Sequence, residues 1–326
     1  MAETAPWPWV VALALGLEAL LGYPAALNRL ARHPVAWPAA LIEGLERRWN
    51  RPTTADRRRR LLGVVLVLLL VAASVLLGGA VQSLLGVSLP GLALVALVAT
   101  VGLAQRSLHD HVAAVLAPLR ADDLPAARAA VAMIVGRDTG ALDAEGVAAA
   151  ALESLAESFN DGVVAPAFWL LVGGLPGLFT YKSVNTADSL IGHREERWRM
   201  FGWAAARTDD LMNLVPARAA GGLIALAAPR NSAASWGTML RDARRHASPN
   251  AGWPEAAMAG ALGVQLGGEA VYDGVRTARP TFGDGPRPTV ADLERGLRLY
   301  RRACLLLWLI PLTIPLAIGL IAGLAR

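Results

Sequence analysis

Charged and amide side chains that could share one reaction gather in four places along the chain. The first is the string GRDT, Gly136 to Thr139, followed by a segment that carries Glu153 and Glu157 and ends at Asp161. On a helix, residues four apart share a face, and two carboxylates so placed repel unless a metal ion, a shared proton or an arginine holds them. Such a pair suits acid–base work or cation binding. A solvated helix face would carry the same spacing, although apolar residues at 148 to 152 and 163 to 169 flank it closely. The second place is YKSVNTADSLIGH, with Asn185, Asp188 and Lys182, the one lysine of the chain. That ammonium could meet a phosphate or an acyl intermediate, or snorkel at the end of an apolar helix.

The third place is ARTDDLMNLVPAR, where Asp209 and Asn213 stand four apart between Arg207 and Arg218, with Asp210 alongside. Carboxylate and amide oxygens at that separation suit Mg²⁺, a hard cation commonly shared with phosphates; the same pattern serves as ordinary chemistry at a helix N-terminus. The fourth runs from Arg244 to Gly268 as RRHASPNAGWPEAAMAGALGVQLGG. Ser248-Pro249-Asn250 makes a turn, Trp253-Pro254-Glu255 opens a helix, and the small residues after it permit close helix packing or the approach of a bulky ligand. Packing explains the small residues but does not require Asn250 or Glu255. No GxxxxGK[ST] loop is present and GGLPG is not a dinucleotide fingerprint, so a nucleotide would need an unusual site. His109 and His111, two apart, face different sides of a helix, which disfavours a shared zinc.

The elements that must position these groups are membrane helices. Over 326 residues the chain is 55% hydrophobic with mean hydropathy +0.42, more apolar than a soluble core of this size needs. Its charged fraction of 17% still places substantial stretches in water or along a polar cavity. Net charge is +5, nearly all from arginines beside hydrophobic runs, which points to anchoring at an anionic leaflet and away from nucleic acid. The single Cys304 excludes an intrachain disulfide and a multi-cysteine metal site. The start MAETAPWPWV carries Glu3 and no basic region, so no cleavable signal peptide is expected.

Four stretches are long enough to span the bilayer, Trp7 to Leu21, Leu61 to Leu85, Leu89 to Leu103 and Cys304 to Leu324. Between the first two lie nine arginines against three acids, whereas the link at Gly86 to Ser88 has no charge. The positive-inside rule therefore predicts a cytoplasmic basic segment over 26–60 and an amino terminus outside. Arginines 295, 298, 301 and 302 start the last span in the cytoplasm, so the central region 104–303 begins and ends on one side. Within it, Val163 to Tyr181 and Leu211 to Ala228 are apolar but interrupted, by GGLPG and by Pro216, Arg218 and Gly221-Gly222. Both are expected as broken or re-entrant helices, with two ordinary crossings as the alternative. LIEGLERRWN at 41–50 predicts an interfacial helix, and two further helices are expected near 107–120 and 123–135, the second ending at Gly136. The fold class is thus all-α and polytopic, a single integral membrane domain over 1–326: three spans in 1–103, a central catalytic region in 104–303 and a last span in 304–326.

Taken together, HPVAW at 33–37, the ERRWN helix, GRDT, LESLAESFNDGVVAPAFW, VNTADSLIGH, FGWAAARTDDLMNLVPAR and SPNAGWPEAAMAGALGVQLGG resemble the CobD/CbiB family of adenosylcobinamide-phosphate synthases, from Leu17 to about Gly285. The chain departs from the family where Ser158 replaces an amide, Glu18 an aspartate, and Gly22-Tyr23-Pro24 a GDP string. The resemblance implies condensation of the carboxylate of adenosylcobyric acid with (R)-1-amino-2-propanol O-2-phosphate, or ethanolamine phosphate. It implies an ATP-dependent ligase with Mg²⁺, in the bacterial inner membrane, working toward the cytoplasm; cobalt enters only within the corrinoid. Glu153, Glu157, Asp161 and Lys182 are then expected to be catalytic. Arg137, Asn185, Arg207, Arg218, Asn250, Glu255 and His33 would bind substrate and phosphate, and Asp138, Asp188, Asp209, Asp210 and Asn213 the metal. The expected partners are the corrinoid, the amino-alcohol phosphate, membrane lipid, and a second copy or other cobalamin-assembly membrane proteins, with no nucleic acid. Two other functions remain open, an intramembrane Mg²⁺-dependent prenyl-type transferase and a non-enzymatic corrinoid transporter or scaffold.

Overall fold

A computed structural model describes residues 6–22 and 36–324, with side chains as far as 313. In chain order the helices are α1 (Trp7–Leu21), α2 (Ala36–Trp49), α3 (Asp56–Leu85), α4 (Leu89–Ala99), α5 (Gln105–Arg120), α6 (Leu124–Ala132) and α7 (Ala144–Phe159). A π turn over Asn160–Val164 leads into α8 (Ala165–Ile191), followed by α9 (Glu196–Arg199), α10 (Trp203–Met212), α11 (Leu214–Ala227), α12 (Ser232–Asp242), α13 (Gly252–Leu262) and α14 (Val290–Leu324). Between α13 and α14 lie four short strands, β1 (Leu266–Gly267), β2 (Ala270–Tyr272), β3 (Val275–Thr277) and β4 (Thr281–Phe282). The chain divides into two compact units: Met1–Ala104 with Ala165–Asn213 and Ile310–Arg326, and Gln105–Val164 with Leu214–Leu309.

In the first unit α3 packs against α8. Small polar residues let them approach, and buried Ser74 Oγ donates to Ser183 Oγ at 2.9 Å. The GGLPG string kinks α8 at Gly174, whose φ of 60° suits glycine. The Leu175 N–H freed by the kink donates to Gln82 Oε1 of α3 at 3.1 Å, as a buried amide must find an acceptor. Ile42, Leu66, Leu70, Ala187, Ile191 and Phe201 form a core nearby. The sequence puts Leu41 with Ile42, Leu45 and Trp49 on the packed face of α2, but Leu41 is exposed and buried Glu46 takes its place, accepting from Arg197 at 3.1 Å and Asn50 at 3.1 Å.

The second unit holds two deeply buried helices, α7 and α13, the latter buried along its whole length. Helix α13 packs against α11 and α12. Gln105 anchors the start of α14's apolar part: its carbonyl accepts from Tyr300 Oη at 2.8 Å and its Oε1 from Trp308 Nε1 at 2.9 Å.

Among the described residues three helical stretches are long and apolar enough to cross a membrane, Asp56–Leu85, Leu89–Arg120 and Ala144–Ile191, and α1 and α11 are shorter apolar helices. Each of the four expected spans is helical. The segment expected to break at Pro216 and Gly221-Gly222 breaks earlier, at Asn213, and α11 runs on through both glycines. Pro216 lies in the first turn, where a missing N–H costs nothing. The glycines serve close packing: a Cβ on Gly221 would stand 2.6 Å from Met239 Sδ and one on Gly222 3.1 Å from the Trp236 ring. The strands are a second departure. β2 and β3 form an antiparallel hairpin about Asp273-Gly274, and β1 pairs with β4. Helix α6 ends at Ala132, short of Gly136.

Candidate active site

In the second unit, Asp143 starts α7 by accepting the Gly146 N–H at 2.7 Å. The alanines at 148 to 151 let the helix sink until Glu153 is 4% exposed. A carboxylate so buried must be matched by charge and hydrogen bonds. Oε2 of Glu153 accepts from Arg137 Nη2 at 2.8 Å and Arg279 Nη1 at 3.1 Å, and Oε1 accepts the Gly267 N–H at 2.9 Å. Glu157 follows one turn later and is exposed. Of the three ways to hold such a carboxylate, the fold uses arginine for Glu153. Asp161 falls inside the π turn, which takes it out of phase with Glu153 and Glu157, and accepts from Asn160 Nδ2 at 2.7 Å.

Arg279 is a site residue that no motif or charge spacing in the sequence singles out, since it stands in the Gly/Pro-rich stretch 279–288. The β1–β4 pairing and Asp242 position it. At the end of α12, Asp242 accepts the Gly283 N–H at 3.0 Å and two bonds from Arg241 at 2.8 Å. Hydrogen bonding by Arg241 holds the Asp242 carboxyl below its ordinary value against the upward push of burial. A signal was there to use: Asp-Gly between β-prone residues marks a tight hairpin.

Glu255, in the first turn of α13, is 1% exposed. Its Oε2 has no hydrogen-bond partner among the described residues, with Arg279 Nη2 3.8 Å away, while Oε1 lies 3.6 Å from His246 Nε2. Burial pushes this carboxyl well above the ordinary 4.5, and the charges of Glu157 and Glu153 push the same way against Arg279 and Arg137. Burial draws the Arg279 guanidinium down, but Glu153 and Glu255 outweigh it and raise it. Close by in sequence, Ser248 Oγ accepts the N–H of Asn250 at 3.2 Å and of Ala251 at 3.3 Å. Arg218 donates to Asn250 Oδ1 at 3.1 Å and lies over the Trp253 ring at 4.5 Å.

The first unit carries its own polar group. Asp209 accepts from Asn213 Nδ2 at 2.9 Å and Asn185 Nδ2 at 3.3 Å, and Asn213 Oδ1 accepts from Tyr181 Oη at 3.1 Å. Arg207 pairs with Asp210 at 3.1 Å; burial raises the Asp210 carboxyl while Arg207 and Arg194 lower it. Lys182 is half-buried on α8, and Asp188, two turns on, lies against Gly192 at the helix end.

Within the second unit the fold thus joins Arg137, Glu153 and Glu255, and joins Arg218 to Asn250. Within the first it joins Asn185, Asp209 and Asn213. Asp138 is turned to another task, its Oδ2 accepting the Gly274 N–H of the hairpin at 2.8 Å. His33 lies outside the described residues. Among the described residues no three His, Cys, Asp or Glu side chains could hold a metal by themselves. A Mg²⁺ ion brought on phosphates would keep most of its shell from phosphate and water and need only one or two carboxylates from the protein. Asp209, buried among amides, has that chemistry.

Fold and sites together define an all-α polytopic membrane protein with a buried arginine–carboxylate cluster. The chain belongs to the CobD/CbiB family: the family model described as CobD/Cbib protein matches residues 11–300. It is 52% identical over 295 residues to a cobalamin biosynthesis protein CobD of Rhodobacter capsulatus, covering 90% of this chain and 93% of that protein. It is 46% identical to a protein of the same name from a Sinorhizobium species, over 90% and 94% of the two chains. A third, from Geobacter metallireducens, is 45% identical over 92% and 94%. No solved structure matches the chain.

Proposed function

We propose that this chain acts in cobalamin biosynthesis as an amide-forming synthase of the bacterial inner membrane. It would join an amino-alcohol phosphate to the propionate carboxylate of adenosylcobyric acid at the expense of ATP. Family membership supports the pathway, and the arrangement around Glu255 supports the chemistry. An amine at neutral pH is an ammonium ion and must lose a proton before its nitrogen can attack. A carboxyl whose proton affinity is raised by burial accepts that proton far better than an ordinary carboxylate. In this reading Glu255 takes the proton, with His246 3.6 Å away to pass it on. Glu153 is held by Arg137, Arg279 and a backbone N–H, so it positions the two guanidiniums and is not a base. Each guanidinium has five donors and gives one to Glu153, which leaves others for substrate oxygens.

Bound Mg²⁺–ATP would supply the activated leaving group on the corrinoid carboxylate. The amine nitrogen then bonds to the acyl carbon, the carbon–oxygen bond to the phosphorus-bearing group breaks, and that group departs with the electron pair. In the second unit Arg218 over Trp253 suits a phosphate; in the first, Asp209 and Asp210 are the carboxylates proposed to serve Mg²⁺.

The test is to incubate the full chain, purified in detergent, with adenosylcobyrate, aminopropanol phosphate and Mg-ATP and to look for the mass of the amide. Product that falls at least about a hundredfold in Glu255→Gln and in Asp209→Asn is expected. Folded protein that makes no product overturns the proposal, and both variants turning over at the normal rate overturns the residue assignment.

A further inference from the structure

Away from that cluster, the second unit contains a cavity of about 320 Å³ walled by four guanidiniums, Arg230 on the turn after α11 and Arg295, Arg298 and Arg302 on α14, with no carboxylate in the lining. Two of the four are tied down. Arg295 donates to the Leu262 carbonyl at 3.0 Å and to Asp292 at 2.7 Å, and Arg298 donates to Glu294 at 2.6 Å. Arg230 and Arg302 have no acidic partner among the described residues. The floor is fixed too, because Asn231 Nδ2 donates to the Ala261 carbonyl at 2.9 Å. Arg295 and Arg298 share their charge with Asp292 and Glu294, but Arg230 and Arg302 add uncompensated positive charge around the same space, and an anion seated there would relieve their repulsion.

The same face of α14 says which anion. Arg295, Arg298 and Arg302 are followed, at the three- and four-residue spacing of one helical stripe, by Leu305 and Leu309, which are 58% and 55% exposed. A polar cup of guanidiniums therefore opens directly onto an apolar track, on the helix that turns hydrophobic at Cys304. We propose that this cavity binds the phosphate of an anionic phospholipid, one lipid per chain, with an acyl chain laid along Leu305 and Leu309. Arginine forks match phosphate oxygens. A free phosphate shares the head chemistry but leaves the leucine track uncovered. The site is separate from the proposed synthase chemistry and stands if that reading fails.

Native mass spectrometry of the full chain in detergent tests it with three probes: phosphatidylglycerol, phosphatidylcholine and inorganic phosphate. One phosphatidylglycerol should be retained in preference to phosphatidylcholine, and millimolar inorganic phosphate should not displace it. Arg230→Gln with Arg302→Gln should weaken retention roughly thirtyfold. Arg301→Gln, which removes one charge from α14 outside the cavity, should leave it unchanged. If the double variant does not fold, Arg302→Lys, which keeps the charge and loses the fork, should still weaken retention. Normal retention in the cavity variants, equal loss in Arg301→Gln, or displacement by inorganic phosphate would each overturn the proposal.

Discussion

At the scale of single residues, Glu255 makes the sharpest demand on its surroundings. A carboxyl raised above its ordinary value binds its proton more tightly in the folded chain than in the unfolded one. Between about 4.5 and that raised value, unfolding releases the proton, so stability is greatest on the acid side and falls as pH rises. Thermal unfolding of the detergent-solubilised protein should show a midpoint that drops through this window in the parent and flattens in Glu255→Gln. An unchanged slope would mean that Arg279, Arg137 and His246 already neutralise the group. The cluster was only partly legible in the sequence. Glu153 and Glu157 stood out because their spacing fixes a shared face, and Arg137 because it sits in a compact motif. Arg279 could not be found that way, since it meets Glu153 across 126 residues and arrives through hairpins whose strands are two or three residues long.

At the scale of elements, long apolar periodicity was easy to read, and each expected span is helical. Local geometry that depends on a partner leaves no such period: the π turn at Asn160–Val164 and the hairpins at 266–282. The kink at Gly174 was visible as GGLPG, but its complement was not. Gly78 of α3 lies against the kinked turn, where a Cβ would stand 2.6 Å from Pro176 N and 2.7 Å from Pro176 Cα, both backbone atoms with nowhere to go. Its neighbour Gly79 meets nothing within 4 Å. Gly78→Ala should therefore force α3 off α8 and cost about 1–3 kcal/mol by overpacking. Gly79→Ala should be neutral or gain a few tenths through helix propensity, about 1 kcal/mol at most. Thermal stability of the two variants in detergent separates packing from a general intolerance of alanine in this helix; equal effects would show that contact with the kink does not matter.

At the scale of the whole molecule, the proposed chemistry needs the active site on the side where ATP is found, and the arginines are the reason to place it there. Not all of them act on the membrane. Arg59 is buried, donating to Asn50 Oδ1 at 2.8 Å and to the Arg197 carbonyl, and Arg60 lies over the Trp203 ring at 3.8 Å. Arg47, Arg48, Arg51, Arg57 and Arg58 stay exposed, so the basic excess before α3 survives after the structural roles are removed. The opposite end of α3 leads into the uncharged link at Gly86 to Ser88, where Val87 is 84% exposed. The tip of the β2–β3 hairpin, at Asp273, belongs to the unit that holds Glu153 and Arg279. Because Cys304 is the only cysteine and is buried, replacing it with serine gives a silent background. In that background Asp273→Cys should react with a membrane-impermeant maleimide in inverted vesicles but not in spheroplasts, and Val87→Cys should do the reverse. Labelling of Asp273→Cys from outside would put the hairpin, and Arg279 two residues beyond its second strand, on the side without ATP, and no choice of catalytic base would rescue the synthase reading.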